Sequence, residues 1–236
     1  MFERLEPLQF EQHKSLRFQP PADYRFALRQ QFVPLSYTEI LEAAKHYPIV
    51  FPPPEQGRLP VALLGLARGR NAFVDEDGRW TAPMVPAHIQ RYPFILGAAN
   101  AGEDFAVMVD REAPHFQGED GEPLFSEDGK PAAVLRQVMD FLTRFQQETA
   151  LTEQFVAALH TADVLVAQQV AGQRQGKSGV PLVTGFQVVH QERLDALADE
   201  TFLDWRRRRM LPLIYAHLAS LTNIGRLPLP EGEQKE

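Results

Sequence analysis

Histidine, carboxylate, arginine and tyrosine side chains are the residues of this chain that could do chemistry. The histidines are widely separated, at positions 13, 46, 88, 115, 160, 190 and 217, with no close pair among them. A metal site needs two or three ligands that converge in space, so spacing alone predicts none. One arrangement is still possible. Asp110 and His115 follow a predicted strand, and a distant His190 would complete a triad of two histidines and one carboxylate. A polar loop at a strand end explains the same residues without a metal, and we predict no cofactor.

A second candidate cluster lies near residue 90. His88, Arg91 and Tyr92 stand close together in the chain. They could form a corner that binds an anion, because arginine presents a planar fork of donors and tyrosine adds a hydroxyl. Packing at a sheet edge is the alternative reading of the same residues.

Tyr47 and Tyr92 belong to two copies of one pattern. Residues 46–51 and 91–96 each contain a basic residue, Tyr and Pro, followed by three apolar residues. Proline bars the preceding residue from the helical conformation, so it ends a helix and begins a strand. The pattern therefore predicts a helix-to-strand joint that is used twice, and two neighbouring strands are one arrangement that it allows. A pocket lined by both tyrosines is the functional alternative.

Tyr215 and His217 fall within the last predicted helix, residues 211–223. A histidine with apolar neighbours on a helix is typical of a core or interface position. This helix and the exposed strand edges are therefore natural docking surfaces for a partner.

The motifs of the common enzyme classes are missing from the sequence. It contains no Gly-x-x-x-x-Gly-Lys-Ser/Thr loop, no Gly-x-Ser-x-Gly elbow and no His-Glu-x-x-His pair. The acidic pairs 119–120 and 127–128 lie in glycine-rich turns. General acid–base catalysis needs a carboxyl group whose pKa is raised by burial, which an exposed turn does not supply. No catalytic residue is assigned, and the balance favours a protein that is not an enzyme.

Several elements must position these residues. Short apolar runs predict strands at 13–18, 24–33, 47–51, 61–66, 105–109 and 182–189, and Asp77-Gly78 predicts a hairpin turn. Ser36 and Glu39 fit a capping box that opens a helix to about Lys45. An apolar stripe predicts a long helix over 134–159, whereas 172–179 has the composition of a loop tip. We expect an α+β fold with an antiparallel or mixed sheet of five to seven strands and helices packed on it, because long helices do not separate the strands.

Composition narrows the class of protein. The 236 residues fit one domain, predicted over 1–227, with a disordered tail over 228–236. The net charge of −7 argues against nucleic-acid binding, and the four arginines at 206–209 are best explained as a solvated helix face, or else as an anion or membrane-surface patch. There is no cysteine, no basic segment leading into an apolar stretch at the N-terminus, and no apolar run long enough to span a bilayer. A cytoplasmic protein is expected.

A series of short motifs from about residue 8 to 227 resembles the bacterial SapC family. The motifs include Val33-Pro34-Leu35, Tyr47-Pro48-Ile49-Val50-Phe51, Gly78-Arg79-Trp80, Arg91-Tyr92-Pro93-Phe94, Thr184-Gly185-Phe186 and Ile214-Tyr215-Ala216-His217-Leu218. The resemblance implies a link to a surface layer, and a genetic setting beside flavin-dependent halogenase-like proteins, cupin-type hydroxylases and TonB-dependent receptors. It carries no agreed catalytic residues.

Two classes of function are consistent with these features of the sequence. The first is a cytosolic accessory protein that docks a partner enzyme or a peptide substrate in a surface-layer, uptake or modification system. The partner would be another polypeptide, such as a flavin-dependent halogenase-like or cupin-type enzyme. The second is an iron-type, 2-oxoacid-dependent oxygenase, or a sensor of a small ligand.

Overall fold

The computed structural model describes residues 1–98, 105–116, 118, 120–174, 177–230 and 233–235. The strands are β1 Leu5–Pro7, β2 Arg17–Phe18, β3 Phe32–Pro34, β4 Ile49–Val50, β5 Val61–Leu63, β6 Phe94–Ala98, β7 Phe105–Asp110, β8 Glu122–Pro123, β9 Leu165–Arg174, β10 Lys177–Val189 and β11 Glu233–Lys235. The helices are α1 Phe10–His13, α2 Ile40–Ala43, α3 Ala87–Gln90, α4 Ala133–Thr161, α5 Gln191–Asp195, α6 Asp199–Arg207 and α7 Leu211–Ser220. Short 3-10 helices cover Arg25–Ala27, Pro114–Phe116 and Leu221–Arg226.

The strands form four small antiparallel sheets. Their orders are β1-β7-β6, β3-β5-β4, β10-β9-β11 and β2-β8. The α+β class is therefore confirmed, and every pairing between these strands is antiparallel. Each sheet has fewer strands than the predicted five to seven. Several apolar segments that were expected to form full strands have only two or three residues that pair with a neighbouring strand.

Among the described residues, two of the sheets are joined by one isolated backbone bridge, beside which their side chains pack together. Phe51, directly after β4, exchanges both backbone hydrogen bonds with Gln187 of β10, at N···O distances of 2.9 and 2.7 Å. Pro52 follows at once and has no N–H with which to extend the ladder. The backbone pairing with β10 therefore stops at Phe51, and loop 52–60 leaves the sheet there.

The long helix α4 confirms the strongest periodic signal in the sequence. Buried apolar side chains lie along its inner face, namely Val134, Leu135, Leu142, Phe155, Val156 and Leu159. Met139 and Leu151 of the predicted stripe are 40% and 54% exposed. The first half of the helix packs with Phe94 and Val109 of the β6–β7 pair, and the second half joins the main core. No helix among the described residues is both long and apolar enough to span a membrane.

Local capping and turn signals also correspond to observed features. The Ser36 N–H donates to Glu39 Oε2 at 2.8 Å, which is one half of the predicted capping box. The other half is absent, because the Ser36 hydroxyl donates to the same carboxylate and α2 begins at Ile40 with no side-chain cap. Glu39 Oε1 accepts the Ala87 N–H at 2.6 Å. One carboxylate thus ties the start of α2 to the start of α3, and burial raises its pKa. The helix itself ends at Ala43, earlier than predicted. Gly78 has a φ of +82° beneath the Val74–Trp80 bridge, as a hairpin turn requires.

Two segments differ from their predicted state. Residues 172–179 read as a loop tip, but β9 and β10 continue to Arg174 and from Lys177, and only 175–176 lie outside the described residues. In the tail that was predicted to be disordered, Glu233–Lys235 pair with β9, whereas 231, 232 and 236 lie outside the described residues.

Candidate functional site

The corner predicted at His88 and Arg91 exists, but the chain itself covers it. The guanidinium of Arg91 lies 5.9 Å from the ring centre of Phe2 and 5.1 Å from that of Phe145. Its Nη2 donates to His88 Nε2 at 3.3 Å, whereas its Nε is buried without a partner among the described residues. Two aromatic faces therefore occupy the positions from which an anion would approach.

Burial dominates the electrostatics of this corner. It lowers the pKa of Arg91 to about 10, which leaves the side chain charged at neutral pH. Burial, with a smaller contribution from the positive charge of Arg91, lowers the pKa of His88 to about 3. His88 is therefore a neutral acceptor for Arg91.

Tyr92 and Asp110 anchor the N-terminal segment. The Tyr92 hydroxyl donates to Asp110 Oδ2 at 3.2 Å, and burial together with this carboxylate raises the pKa of the phenol. Asp110 is fully buried and accepts the N–H groups of Glu3, Arg4 and Glu112 at 2.8, 3.0 and 3.3 Å. Both oxygens of the carboxylate are thus engaged with donors of this chain.

His115 lies in an aromatic cluster next to Tyr92. Its ring centre is 5.7 Å from Phe18, in a stacked arrangement, 5.6 Å from Phe26 and 5.2 Å from Tyr92. Burial lowers the pKa of His115 to about 4, and its Nδ1 is buried without a partner among the described residues. The structure brings Tyr92, Asp110 and His115 together as packed and hydrogen-bonded neighbours.

The proposed metal triad does not assemble in the described part of the chain. His190 precedes α5 and its N–H donates to the Val164 carbonyl at 2.8 Å, while Asp110 is committed to the N-terminal segment. Among the described residues, no group of three or more histidine and acidic side chains could hold a metal ion.

The two tyrosine–proline patterns are helix-to-strand joints. Tyr47 lies between α2 and β4, and Tyr92 lies between α3 and β6. The Tyr47 hydroxyl donates to the Met84 carbonyl and accepts the Trp80 Nε1–H at 2.8 Å. Each tyrosine has its own hydrogen-bond partners, and β4 and β6 belong to different sheets. The second strand is therefore not the neighbour of the first.

His217 joins the two sheets by hydrogen bonds to β4 and β10, next to the bridge between Phe51 and Gln187. Its Nδ1–H donates to the Ile49 carbonyl at 2.8 Å, and its Nε2 accepts the Val189 N–H at 3.0 Å. Ser220 accepts the Ile49 N–H at 3.0 Å. Burial lowers the pKa of His217 to about 4, so the ring is neutral and its tautomer follows from these bonds.

The helix that carries His217 turns one face to the interior and the other to solvent. Half of its ten residues are buried, namely Leu211, Leu213, Ile214, His217 and Ser220. Tyr215 is 48% exposed and is the main solvent-facing ring of α7. The buried face of the helix supports the sheet joint, and the docking role expected of this helix stays a prediction that rests on its exposed face.

A concave surface that the residue patterns did not single out opens where loop 52–60 leaves the sheet. A cavity of 400 Å³ lies between β3, β5 and β10, and its lining includes Phe32, Pro34, Pro52, Leu59, Val61 and Phe186. Gly185, at a φ of +77°, sits in a bulge of β10 on the same wall. The signals in the sequence were the three prolines after β4 and the glycine within a strand.

A second cavity borders the same loop. It measures 720 Å³ and lies against the second half of α4, with Glu153 and His160 in its lining. Gly57 and Arg58 border both cavities. We call the two cavities together the loop groove. Arg58 is exposed and has no ion-pair partner among the described residues.

The lining of the loop groove combines apolar and polar side chains. The half between the strands is mainly apolar, and its lining includes the Arg58 guanidinium together with the side chains of Gln56 and Thr184. Fold and groove thus define a mixed α+β protein with a concave surface bordered by strands and one helix.

The family model of SapC matches residues 8–227. The chain therefore belongs to the SapC family. Neither a curated protein nor a solved structure matches it significantly.

Proposed function

We propose that this SapC protein is a cytosolic accessory protein that binds an extended segment of a partner polypeptide in the loop groove. The observation that carries the proposal is that the two cavities share Gly57 and Arg58 in their linings. A small metabolite needs one enclosed pocket, whereas an extended segment needs a groove several residues long.

The strand edges around the groove suit an extended chain. Loop 52–60 leaves the sheet immediately after Phe51, and the Thr184–Gly185 bulge interrupts the regular ladder of β10 opposite it. The backbone of a peptide can form hydrogen bonds to strand edges in such a gap. Apolar pockets on either side then select the peptide by its side chains. Phe32, Val61 and Phe186 supply apolar surface here.

Arg58 gives the proposed partner a charge preference. An exposed guanidinium without an ion-pair partner pairs readily with a carboxylate, and contributes about 0.5–1 kcal/mol in such a position. We therefore expect the bound segment to carry an acidic residue beside its apolar ones. A flavin-dependent halogenase-like or cupin-type enzyme in a surface-layer, uptake or modification system is the partner class we propose.

A photocrosslinking experiment tests this function. Benzoylphenylalanine is placed at Thr184, on the groove rim, and at Leu41, which is 51% exposed and does not line the groove. In the producing cells, Thr184 should crosslink one defined polypeptide and Leu41 should not. Arg58→Glu should reduce the yield several-fold, whereas Arg68→Glu, at another exposed loop arginine, should leave it unchanged.

Two outcomes would overturn the proposal. Equal crosslinking from both positions, or a yield that does not respond to Arg58→Glu, would remove the groove from consideration. A stoichiometric small molecule in native mass spectra of the purified protein, without any crosslinked polypeptide, would instead support the ligand-sensor alternative. The oxygenase alternative has no metal-binding cluster in the described residues.

A further inference from the structure

The end of α6 has a geometry that normally favours glycine. The Met210 N–H donates to the Trp205 carbonyl at 2.9 Å, and the Arg209 N–H donates to the Arg206 carbonyl at 3.1 Å. These two bonds define a Schellman motif with Arg209 at the left-handed position, at a φ of +57°. Glycine adopts this conformation without a steric penalty, whereas a residue with a Cβ is strained there.

The turn is held in place on both sides of the arginines. Trp205 and Met210 are buried, and the hydroxyl of Tyr37 donates to the carbonyls of Arg208 and Arg209 at 3.2 and 3.3 Å. The arginine side chains therefore project from a fixed backbone. A surface whose backbone is already ordered loses less conformational entropy on binding.

The four arginines are exposed and largely unpaired. Arg208 contacts Asp204 at 3.3 Å, while Arg206, Arg207 and Arg209 have no ion-pair partner among the described residues. Basic residues in the last turn of a helix interact favourably with its dipole, which accounts for Arg206 and Arg207. It does not account for Arg209, which follows the helix and occupies a position where glycine is more stable.

We infer that these four arginines, the arginine turn, bind an acidic segment of a partner polypeptide. Guanidinium groups suit this task because their planar forks match carboxylates in a bidentate geometry. The net charge of the chain is −7 with these arginines counted, so the rest of the molecule is more acidic still. The acidic rest of the molecule would repel a wide anionic surface such as a membrane or a nucleic-acid duplex. A short acidic segment contacts only the four arginines and avoids this repulsion.

This surface is separate from the loop groove, and the inference does not depend on the groove. The probe is a fluorescein-labelled peptide of alternating glutamate and serine, followed by fluorescence anisotropy with the full chain at low salt. A peptide with glutamine in place of glutamate is the charge control. Binding should weaken steadily as salt is added, because exposed ion pairs are screened.

Two sets of variants test the residues. Arg206→Gln with Arg207→Gln should weaken binding of the acidic peptide about tenfold, and Arg209→Gly about threefold. Arg209→Gly should at the same time leave the thermal unfolding temperature unchanged or raise it, because it relieves the strain. Arg68→Gln with Arg70→Gln, two exposed arginines in another loop, should leave the affinity unchanged.

Each contrary outcome overturns the inference. Equal binding of the acidic and neutral peptides, or equal loss in the control pair, would show that the turn is not a specific site. Loss of stability in Arg209→Gly without loss of affinity would give Arg209 a structural role. Tighter binding to phosphatidylcholine vesicles containing one third phosphatidylserine than to the peptide would assign the turn to membranes.

Discussion

Replacing His217 by alanine should lower the free energy of unfolding by about 4 kcal/mol. The imidazole is 1% exposed and satisfies the Ile49 carbonyl and the Val189 N–H at once. Each of these buried backbone groups loses its partner in the variant, at about 1–2 kcal/mol apiece. Loss of the ring also opens a cavity beside Phe51, whose ring centre is 4.9 Å away, which adds about 1 kcal/mol.

Two further substitutions at His217 separate its two hydrogen bonds. Asparagine can place an amide N–H near the position of Nδ1 and keep the bond to Ile49, but it does not reach Val189. Glutamine can place its amide oxygen near Nε2 and keep the bond from Val189. Each variant should therefore lose about 2 kcal/mol, and the two losses should sum to nearly the loss of the alanine variant.

Chemical denaturation at neutral pH measures these differences. Tryptophan fluorescence and circular dichroism should give coincident transitions, as two-state unfolding requires. Tyr215→Ala is the control, because this residue is on the same helix but 48% exposed, and it should change stability by less than about 0.5 kcal/mol. A loss below about 1 kcal/mol for His217→Ala would refute the view that the imidazole joins the sheets.

Three other results are expected. The folded state holds His115 neutral with a pKa of about 4, so stability should fall as pH drops from about 6.5 to 4, and His115→Phe should make that part of a denaturation–pH profile less steep, with His88 and His217 accounting for the slope that remains. Asp110→Ala removes the acceptor of two N-terminal N–H groups and should speed amide exchange in β1 at least about tenfold by mass spectrometry, with β6 still protected. Tyr47→Phe should cost only about 1 kcal/mol in urea unfolding, because the Trp80 Nε1–H keeps the Met84 carbonyl at 3.1 Å; a loss as large as that of Tyr47→Ala would contradict this.

Local signals in the sequence predicted local structure well. The apolar stripe of α4, the glycine turn at Gly78 and both tyrosine–proline joints depend on neighbours within a few positions. Proline geometry and side-chain periodicity act at that range, so one sequence is enough to find them.

Features that depend on distant partners could not be predicted in the same way. Phe2 covers Arg91, and His217 bonds to Ile49, but nothing in the residues around either pair marks the other. The sequence around an arginine or histidine near an apolar run is the same whether the side chain faces a ligand or the chain's own N-terminus. The loop groove was missed for the same reason, because its walls come from β3, β5, β10 and α4.

The joint beneath β4 has a consequence for how this protein is made. Ile49 and His217 are 168 positions apart in the chain, so a ribosome must deliver almost the whole sequence before the joint can close. Until then, β4 presents an unpaired strand edge, which is the kind of surface on which nascent chains associate with one another. Three prolines directly follow Phe51 and shorten that edge to a few residues. Because proline has no backbone N–H to donate, they limit the length over which a neighbouring chain can pair with the edge during synthesis.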